Sequence, residues 1–344
     1  MSRRAPGAFL LATLLLAPPA GAATIQVGPD ATIKTPSAAA AQAQDGDTIE
    51  IAAGEYFDCA TWRANRLTIT GPADPATPAV LSDTACQGKA LFVVTGHDTT
   101  IRHLTFTRVR VPDGNGAGIR AEGRNLTVEA SHFINNQVGI LAADMPNGTL
   151  TINDSHFEAN GACEAGAAGG RRCVATVQIG LLLRLRIERS IFTAARGGEL
   201  VRAAAQRTDI LHSRFTDGPR GAANHLVALA GGAMLVADNA FEKGPASASS
   251  AVAVLVRDLW GPEAGMLFQR NTLANNTGHP IVFLHNLSAG TPRLELNRVA
   301  PGDTALDESG YWTGRARGIA RSTWDGARET AGQVKRLVRR LLPF

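Results

Sequence analysis

The amino-acid sequence predicts an all-β protein built as a solenoid of short strands, and two observations lead to this fold class. The first is a repeat in which an aliphatic residue is followed five positions later by a second apolar residue. The pairs are Ile101/Phe106, Val128/Phe133, Ile152/Phe157, Ile187/Phe192, Ile210/Phe215, Val236/Phe241, Phe268/Leu273 and Leu294/Val299. Successive pairs are 27, 24, 35, 23, 26, 32 and 26 residues apart. Such a period is typical of solenoids, and it fits three short strands joined by tight turns but not two helices.

The second observation is the odd spacing inside each unit. Ile152 and Phe157 would lie on opposite faces of one continuous strand, because side chains alternate along a strand. A corner between them resolves the conflict: Ile152, Ser155 and Phe157 point inward, Asp154 lies at the bend and His156 points outward. The Asn, Asp and Gly residues that follow each Phe tolerate left-handed turn conformations.

Residues 1–22 have the pattern of a secretory signal peptide. Arg3 and Arg4 form its charged end, residues 9–17 its apolar core, and Ala20-Gly-Ala22 a small-residue cleavage site. The apolar core is too short to span a bilayer. We therefore expect a periplasmic or secreted protein, exported by the ordinary route rather than by the twin-arginine route.

All four cysteines follow the predicted signal peptide. An even number of cysteines in an oxidising compartment predicts two disulfides, with free thiols as the alternative. Cys163 and Cys173 bracket a Gly-rich insertion that accounts for the longest repeat interval, so Cys59 and Cys86 are expected to pair across the first coil. Neither pair has the short spacing of zinc ligands, and we expect no metal and no cofactor.

Residues 24–58 are expected to form an N-terminal cap that includes a short alanine-rich helix from Pro36 to Gln44, because an uncapped first coil would expose its apolar end to water. This helix, the segments Gly46-Asp-Thr-Ile49 and Gly54-Glu-Tyr56, and the later Ser-x-Phe-x-x-Asn units resemble the right-handed parallel β-helix, or pectin-lyase-like, superfamily. The resemblance covers residues 24–300. It implies one β-helix domain, which we place at residues 23–305.

The resemblance implies a carbohydrate ligand, but it does not define an activity. The superfamily includes pectate and alginate lyases, polygalacturonases, pectin methylesterases, polyuronate epimerases and non-catalytic carbohydrate-binding repeats. For the Gly-His-Gly signature of polygalacturonases this chain offers only Gly96-His97-Asp98, and the Asp-Pro-His-Asp signature of epimerases is absent. Whether the protein is an enzyme therefore stays open at this point.

The candidate site residues lie on the outward surface, where equivalent residues of successive coils are stacked about 4.8 Å apart. The candidate catalytic residues stand one position before Phe in their units: His132, His156 and Arg214. There a cation could bind the carboxylate of a sugar acid and a neutral imidazole could accept its C5 proton. The candidate substrate-binding residues stand one position after the aliphatic residue: Glu129, Asn153 and Glu188. The alternative is that all six are solvated side chains of a duplicated unit.

The predicted tail, residues 306–344, is basic. Between Tyr311 and Phe344 eight Lys/Arg and two acidic residues give +6, and subtracting this and the two signal-peptide arginines from the overall +4 leaves −4 for the solenoid. Apolar residues recur at helical spacing from Trp324 to Leu341, opposite basic residues. We expect an amphipathic helix that caps the last coil, with contact to an anionic envelope surface as the alternative.

Together these features predict an exported, monomeric right-handed parallel β-helix with an N-terminal helical cap and a C-terminal basic amphipathic helix. The expected function is to bind an acidic polysaccharide through the lateral sheet surface. A polyuronate lyase or C5-epimerase is the enzymatic alternative, and a non-catalytic envelope scaffold or assembly protein is the third. Nucleic acid is not expected as a partner of an exported protein.

Overall fold

The computed structural model describes residues 21–165, 171–247, 251–257 and 265–309. Over these ranges the chain winds into a parallel β-helix in which each coil contributes strands to three parallel ladders. The solenoid with three strands per coil is therefore confirmed. The predicted signal peptide up to residue 20 and the predicted tail helix from residue 310 onward lie outside the described residues, and the division into signal peptide, β-helix and tail stays a prediction.

The ladders are called first, second and third in the order in which residues 117–134 pass through them. The first ladder consists of β4 (Ala60–Trp62), β7 (Ala90–Val94), β10 (Ala117–Ala121), β13 (Val138–Ala142), the first parts of β18 (Val177–Glu188) and β20 (Val201–Leu211), β22 (Val227–Ala230), β25 (Val252–Arg257), β28 (Val282–Leu287) and β31 (Thr304–Asp307). The second ladder consists of β1 (Thr24–Val27), β2 (Thr48–Ile51), β5 (Thr68–Thr70), β8 (Thr99–Arg102), β11 (Leu126–Glu129), β14 (Met145–Asn153), the last parts of β18 and β20, β23 (Ala233–Ala237), β26 (Met266–Gln269) and β29 (Pro292–Glu295). The third ladder consists of β3 (Gly54–Tyr56), β6 (Ala79–Ser82), β9 (Leu104–Thr107), β12 (His132–Ile134), β15 (His156–Glu158), β19 (Ile191–Thr193), β21 (Arg214–Thr216), β24 (Ala240–Lys243), β27 (Thr272–Asn275) and β30 (Arg298–Val299).

A column of phenylalanine rings fills the interior behind the third ladder. Its members are all 2% exposed or less: Phe106, Phe133, Phe157, Phe192, Phe215 and Phe241. Neighbouring rings lie parallel, with centroids 4.6 to 5.2 Å apart. Burying each such side chain contributes about 1.5 to 3 kcal/mol. The inward direction predicted for Phe157 is thus confirmed, and the rings of successive coils form one internal stack.

The corner between the second and third ladders has the predicted geometry. Asp154 and Asp238 lie at the bend with φ of 48° and 60°, and the inward Ser155 after the first of them is 2% exposed. Arg189 and Arg270, the corner residues of the following coils, pair with these two aspartates at 2.8 and 2.6 Å. The spacing predicted that Asp154 lies at the bend, and the structure shows in addition that both corner aspartates have a cationic partner.

A short helix, α1 (Pro36–Gln42), precedes β2. Thr35 caps it by accepting a hydrogen bond from the Ala38 N–H group at 3.3 Å, and Pro36 and Ala39 are buried. The helix ends two residues before the predicted Gln44, because Ala43 leaves the helical conformation with ψ of 135°. Within the described residues, no helix has the length and hydropathy needed to cross a lipid bilayer.

Both predicted disulfides are present. Cys59 and Cys86 are joined across the first coils with their Cα atoms 5.4 Å apart. Cys163 and Cys173 face each other in an antiparallel hairpin of β16 (Ala162–Ala165) and β17 (Arg171–Val174), outside the three ladders. The insertion that lengthens one repeat interval is therefore a cross-linked hairpin.

Candidate functional site

The outward row of the third ladder contains the two histidines that the repeat brings together. His132 and His156 are Cα partners in neighbouring strands, and their ring centroids are 5.9 Å apart. Partial burial, and secondarily the charge of His156, lower the pKa of His132, so its ring stays neutral to a lower pH than that of a free histidine. The predicted stacking is present, and the catalytic role stays a prediction.

Arg214 lies in the same row but not beside the histidines. Ile191 pairs with His156 on one side and with Arg214 on the other, and this isoleucine is 41% exposed. An apolar side chain therefore separates the cation from the imidazoles. A ligand that contacts all three predicted residues has to extend over four successive strands of the third ladder.

The predicted substrate-binding residues form one row on the second ladder, since Asn153 pairs with Glu129 on one side and with Glu188 on the other. Glu188 is bound by Arg186 at 2.5 Å and by Arg189 at 2.8 Å, so its charge is already neutralised. The side-chain oxygen of Asn153 is buried without a hydrogen-bond partner among the described residues. This oxygen is buried, so it is not accessible to a ligand on the lateral surface.

Two arginines from the turns between the third and first ladders converge on one asparagine. Arg110 donates to the Asn135 carbonyl oxygen at 2.6 Å and to its Oδ1 at 2.7 Å. Arg196 donates to the same Oδ1 and also to the Asn136 carbonyl oxygen at 2.8 Å. We call Arg110, Asn135, Asn136 and Arg196 the Arg196 cluster.

The Arg196 cluster carries positive charge that no carboxylate of the described residues neutralises by an ion pair. Partial burial, followed by the charge of Arg110, lowers the pKa of Arg196. Partial burial also lowers the pKa of Arg110, against the opposing effect of Asp83. Asp83 is itself bound by Arg108 at 2.8 Å. Two repelling guanidinium groups thus share a neutral acceptor.

A buried carboxylate lies where the chain enters the first ladder. Glu199 is 5% exposed, accepts a hydrogen bond from Arg202, and places its Oε1 3.5 Å from Nδ1 of His225. Burial alone would raise the pKa of Glu199. His225 and Arg202 together lower this pKa by more than burial raises it, so the carboxyl group has a pKa below its usual value. We call Glu199, Arg202 and His225 the Glu199 cluster, an ionised carboxylate between a cation and an imidazole.

A buried ion pair fixes the loop that leads to His225. Lys243 is fully buried and donates to the carbonyl oxygens of Ala223 and Asn224 at 3.0 and 2.9 Å. Its Nζ lies 3.9 Å from a carboxylate oxygen of Asp217. Burial lowers the pKa of Lys243 to about 8 and raises that of Asp217. The lysine therefore anchors two consecutive carbonyl groups directly before His225.

Sequence reasoning from the repeat missed both clusters, because they lie in turns whose length varies. The repeat did contain a signal for the Glu199 cluster. Val201 and Val227 are paired in consecutive coils, and Glu199 and His225 each lie two residues before one of these valines, so they occupy equivalent positions. No such equivalence in the repeat predicts the contact of Arg196, because its side chain donates to the backbone of Asn136, 60 positions away. In the part of the chain that the structure describes, no three His, Cys, Asp or Glu side chains meet in a group that could hold a metal ion.

Comparison with known proteins found no matching protein-family model and no match among curated proteins. Among solved structures, the chain is similar to the pectin methylesterase PemA from Erwinia chrysanthemi, with a TM-score of 0.41, 11% identity, and coverage of 86% of this chain and 95% of that one. It is also similar to the tailspike protein gp49 from Acinetobacter baumannii bacteriophage Fri1, a capsular polysaccharide depolymerase, with a TM-score of 0.42, 10% identity and coverage of 85% and 64%.

A third similar structure is a mutant of the PL6 family alginate lyase AlyGC, with a TM-score of 0.42, 14% identity, and coverage of 76% of this chain and 40% of that one. Similarity at this level does not transfer an activity to this chain. The β-helix architecture rests on the strand pairing described above, and the function has to be argued from the residues of the site.

Proposed function

We propose that this β-helix binds an acidic polysaccharide along its lateral surface and that the Arg196 cluster holds a carboxylate of the bound chain. The observation that carries the proposal is the convergence of Arg110 and Arg196 on one amide oxygen without an ion-paired carboxylate. A guanidinium group has five N–H donors in a fixed plane, a geometry that matches a carboxylate. An anionic ligand would relieve the repulsion between the two cations.

The position of the cluster suits a ligand that lies along the helix axis. Arg110 follows β9 and Arg196 follows β19, so the two arginines belong to turns with two coils between them. Strands of neighbouring coils repeat about every 4.8 Å, and a polymer that runs along this side meets a new turn at each coil. The lateral surface therefore favours a linear chain over a small ligand.

The test is to measure binding of polygalacturonate to the full-length protein and to a variant with Arg110→Gln and Arg196→Gln. Hydrogen bonds to charged groups contribute about 1.5 to 3 kcal/mol each, so the affinity should fall about tenfold or more. The matched control is Arg124→Gln, which removes the same charge from an exposed turn between the first and second ladders. High salt should weaken wild-type binding, because it screens exposed charges.

Two outcomes would contradict the proposal. One is an unchanged affinity of the double variant, and the other is equal binding of a neutral polysaccharide such as dextran. Melting curves recorded without polymer check that each variant is folded, so that a loss of binding is not mistaken for a loss of structure.

The histidine row is a second proposed contact for the same polysaccharide. His132, His156 and Arg214 would contact the chain on the third ladder, with Glu129, Asn153 and Glu188 beside them on the second. If this row contributes, Arg214→Gln should weaken binding by the same measurement, while His132→Gln and His156→Gln should lower the turnover of any polyuronate lyase or epimerase activity. Unsaturated sugar ends, detected by ultraviolet absorbance, would report a lyase.

Export of the protein and a capping role of its two ends are also part of the proposal. The two disulfides favour an oxidising compartment, in keeping with a periplasmic or secreted monomer.

A truncated chain that ends at Asp307 should aggregate if the segment after it covers the last coil, because exposed strand edges pair with those of other molecules. A soluble truncated monomer that no longer sediments with anionic vesicles would instead support the envelope contact.

A further inference from the structure

We infer that the Glu199 cluster is a hydrolytic site in which His225 accepts a proton from water, Glu199 positions the imidazole, and Arg202 stabilises negative charge on an acyl ester. The ester would be carried by the bound polysaccharide. The inference therefore rests on the proposed function, but it involves other residues than the Arg196 cluster and has a separate readout.

The orientation of the His225 ring is the first argument. Among the described residues its buried Nδ1 has no hydrogen-bond partner, and Glu199 Oε1 lies 3.5 Å from it. No hydrogen bond to Nε2 is present among the described residues, and the side chain as a whole is 18% exposed. A carboxylate next to Nδ1 favours the tautomer with the proton on Nδ1, which leaves Nε2 free to accept a proton from water.

The second argument is the free capacity of Arg202. One terminal nitrogen of its guanidinium binds Glu199, which leaves other N–H groups for a ligand. The side chain is 17% exposed, and its partner in the next coil is Ala228. His225 precedes the strand that contains Ala228, so Arg202 and His225 belong to neighbouring coils. An oxygen that gains negative charge during ester cleavage could be stabilised there.

The third argument is the charge of the cluster, which selects an ester over a carboxylate as the reacting group. Ionised Glu199 and Arg202 cancel each other, and Lys243 and Asp217 behind them also carry opposite charges. A site without net charge offers little attraction to a second carboxylate, whereas a neutral ester can enter it. The substrate class is therefore an O-acylated acidic polysaccharide, held by its carboxylates at the Arg196 cluster.

The chemical step needs only water. His225 Nε2 takes a proton from a water molecule while the water oxygen adds to the acyl carbon, and the carbonyl oxygen gains the negative charge that faces Arg202. The carbon–oxygen bond to the sugar then breaks. The sugar oxygen receives the proton back from His225, and the products are a sugar hydroxyl and the free carboxylic acid.

The test uses full-length protein with O-acetylated polygalacturonate and measures acetate release. His225→Gln should lower kcat about a hundredfold or more, the usual contribution of a general base, while binding of polygalacturonate stays unchanged. Glu199→Gln should lower kcat without raising KM, and Glu199→Asp should restore part of the rate, because a shorter carboxylate still orients the ring. The matched control is His279→Gln, which removes an exposed histidine.

Acetate release that is equal in wild type and His225→Gln would overturn the inference, as would wild-type protein that binds the polymer but releases no acetate. Unsaturated sugar ends in place of acetate would also overturn it, since they would show proton removal next to a carboxylate. Loss of binding in the Arg110/Arg196 double variant concerns the proposed function alone. His225→Asn provides a second variant if His225→Gln fails to fold.

Discussion

Removing one ring from the phenylalanine column tests the packing of the β-helix. Phe157 has no exposed surface, and it is stacked between Phe133 and Phe192 with both centroid distances at 4.6 Å. Transfer of the ring from water contributes about 1.5 to 3 kcal/mol, and each aromatic pair adds about 0.5 to 1.5 kcal/mol. Phe157→Ala should therefore lower the free energy of unfolding by about 3 to 5 kcal/mol, the usual range for such truncations.

The backbone around this ring limits how far the cavity can close. A Cβ atom built on Gly139 would lie 2.9 Å from Cδ1 of Phe157, so β13 contacts the ring directly. Its pairing with β10 and β18 limits how far it can move into the space that the ring leaves. Urea unfolding of the wild type and of Phe157→Ala measures the difference in the free energy of unfolding. The control is Phe57→Ala, because Phe57 is 64% exposed. A loss for Phe157→Ala as small as that of the control would refute the packing argument.

Three further predictions concern cross-links and charges. Replacing Cys163 and Cys173 by Ser should speed hydrogen exchange in the hairpin while leaving the phenylalanine column protected, and global unfolding of that variant would contradict this. Burial lowers the pKa of Lys243 to about 8 in the folded protein, against about 10.4 in an unfolded chain. Between these pH values the unfolded chain binds more protons, so the free energy of unfolding should rise with pH by up to roughly 3 kcal/mol, and Lys243→Met should abolish this rise. Arg189→Gln removes half-exposed ion pairs with Asp154 and Glu188 and should leave the urea unfolding midpoint nearly unchanged, because solvent screens exposed ion pairs.

The sequence allowed prediction of those parts of the fold that repeat with a fixed spacing. The five-residue interval between Ile152 and Phe157 required a corner, and the structure has that corner at Asp154. The same register predicted that His132 and His156 would stack, because neighbouring coils repeat the same positions. The end of α1 was placed two residues too far, since an alanine-rich segment offers no stop signal before Ala43.

The site could be predicted only in part, because its side chains do not follow the repeat. Arg196 belongs to one coil but contacts the backbone of Asn136 two coils earlier, and no periodic pattern encodes such a reach. His156 and Arg214 share a row, yet the exposed Ile191 lies between them. Equivalent sequence positions therefore predict which side chains share a face, but not which of them meet.

The most direct test of polysaccharide binding at the Arg196 cluster is arginine modification mapped by mass spectrometry. The full-length protein is treated with phenylglyoxal in the presence and absence of polygalacturonate. Binding at the cluster predicts that the polymer protects Arg110 and Arg196, while Arg124 reacts equally in both samples. Equal modification of Arg110 and Arg196 with and without polymer, or protection confined to Arg214, would contradict it.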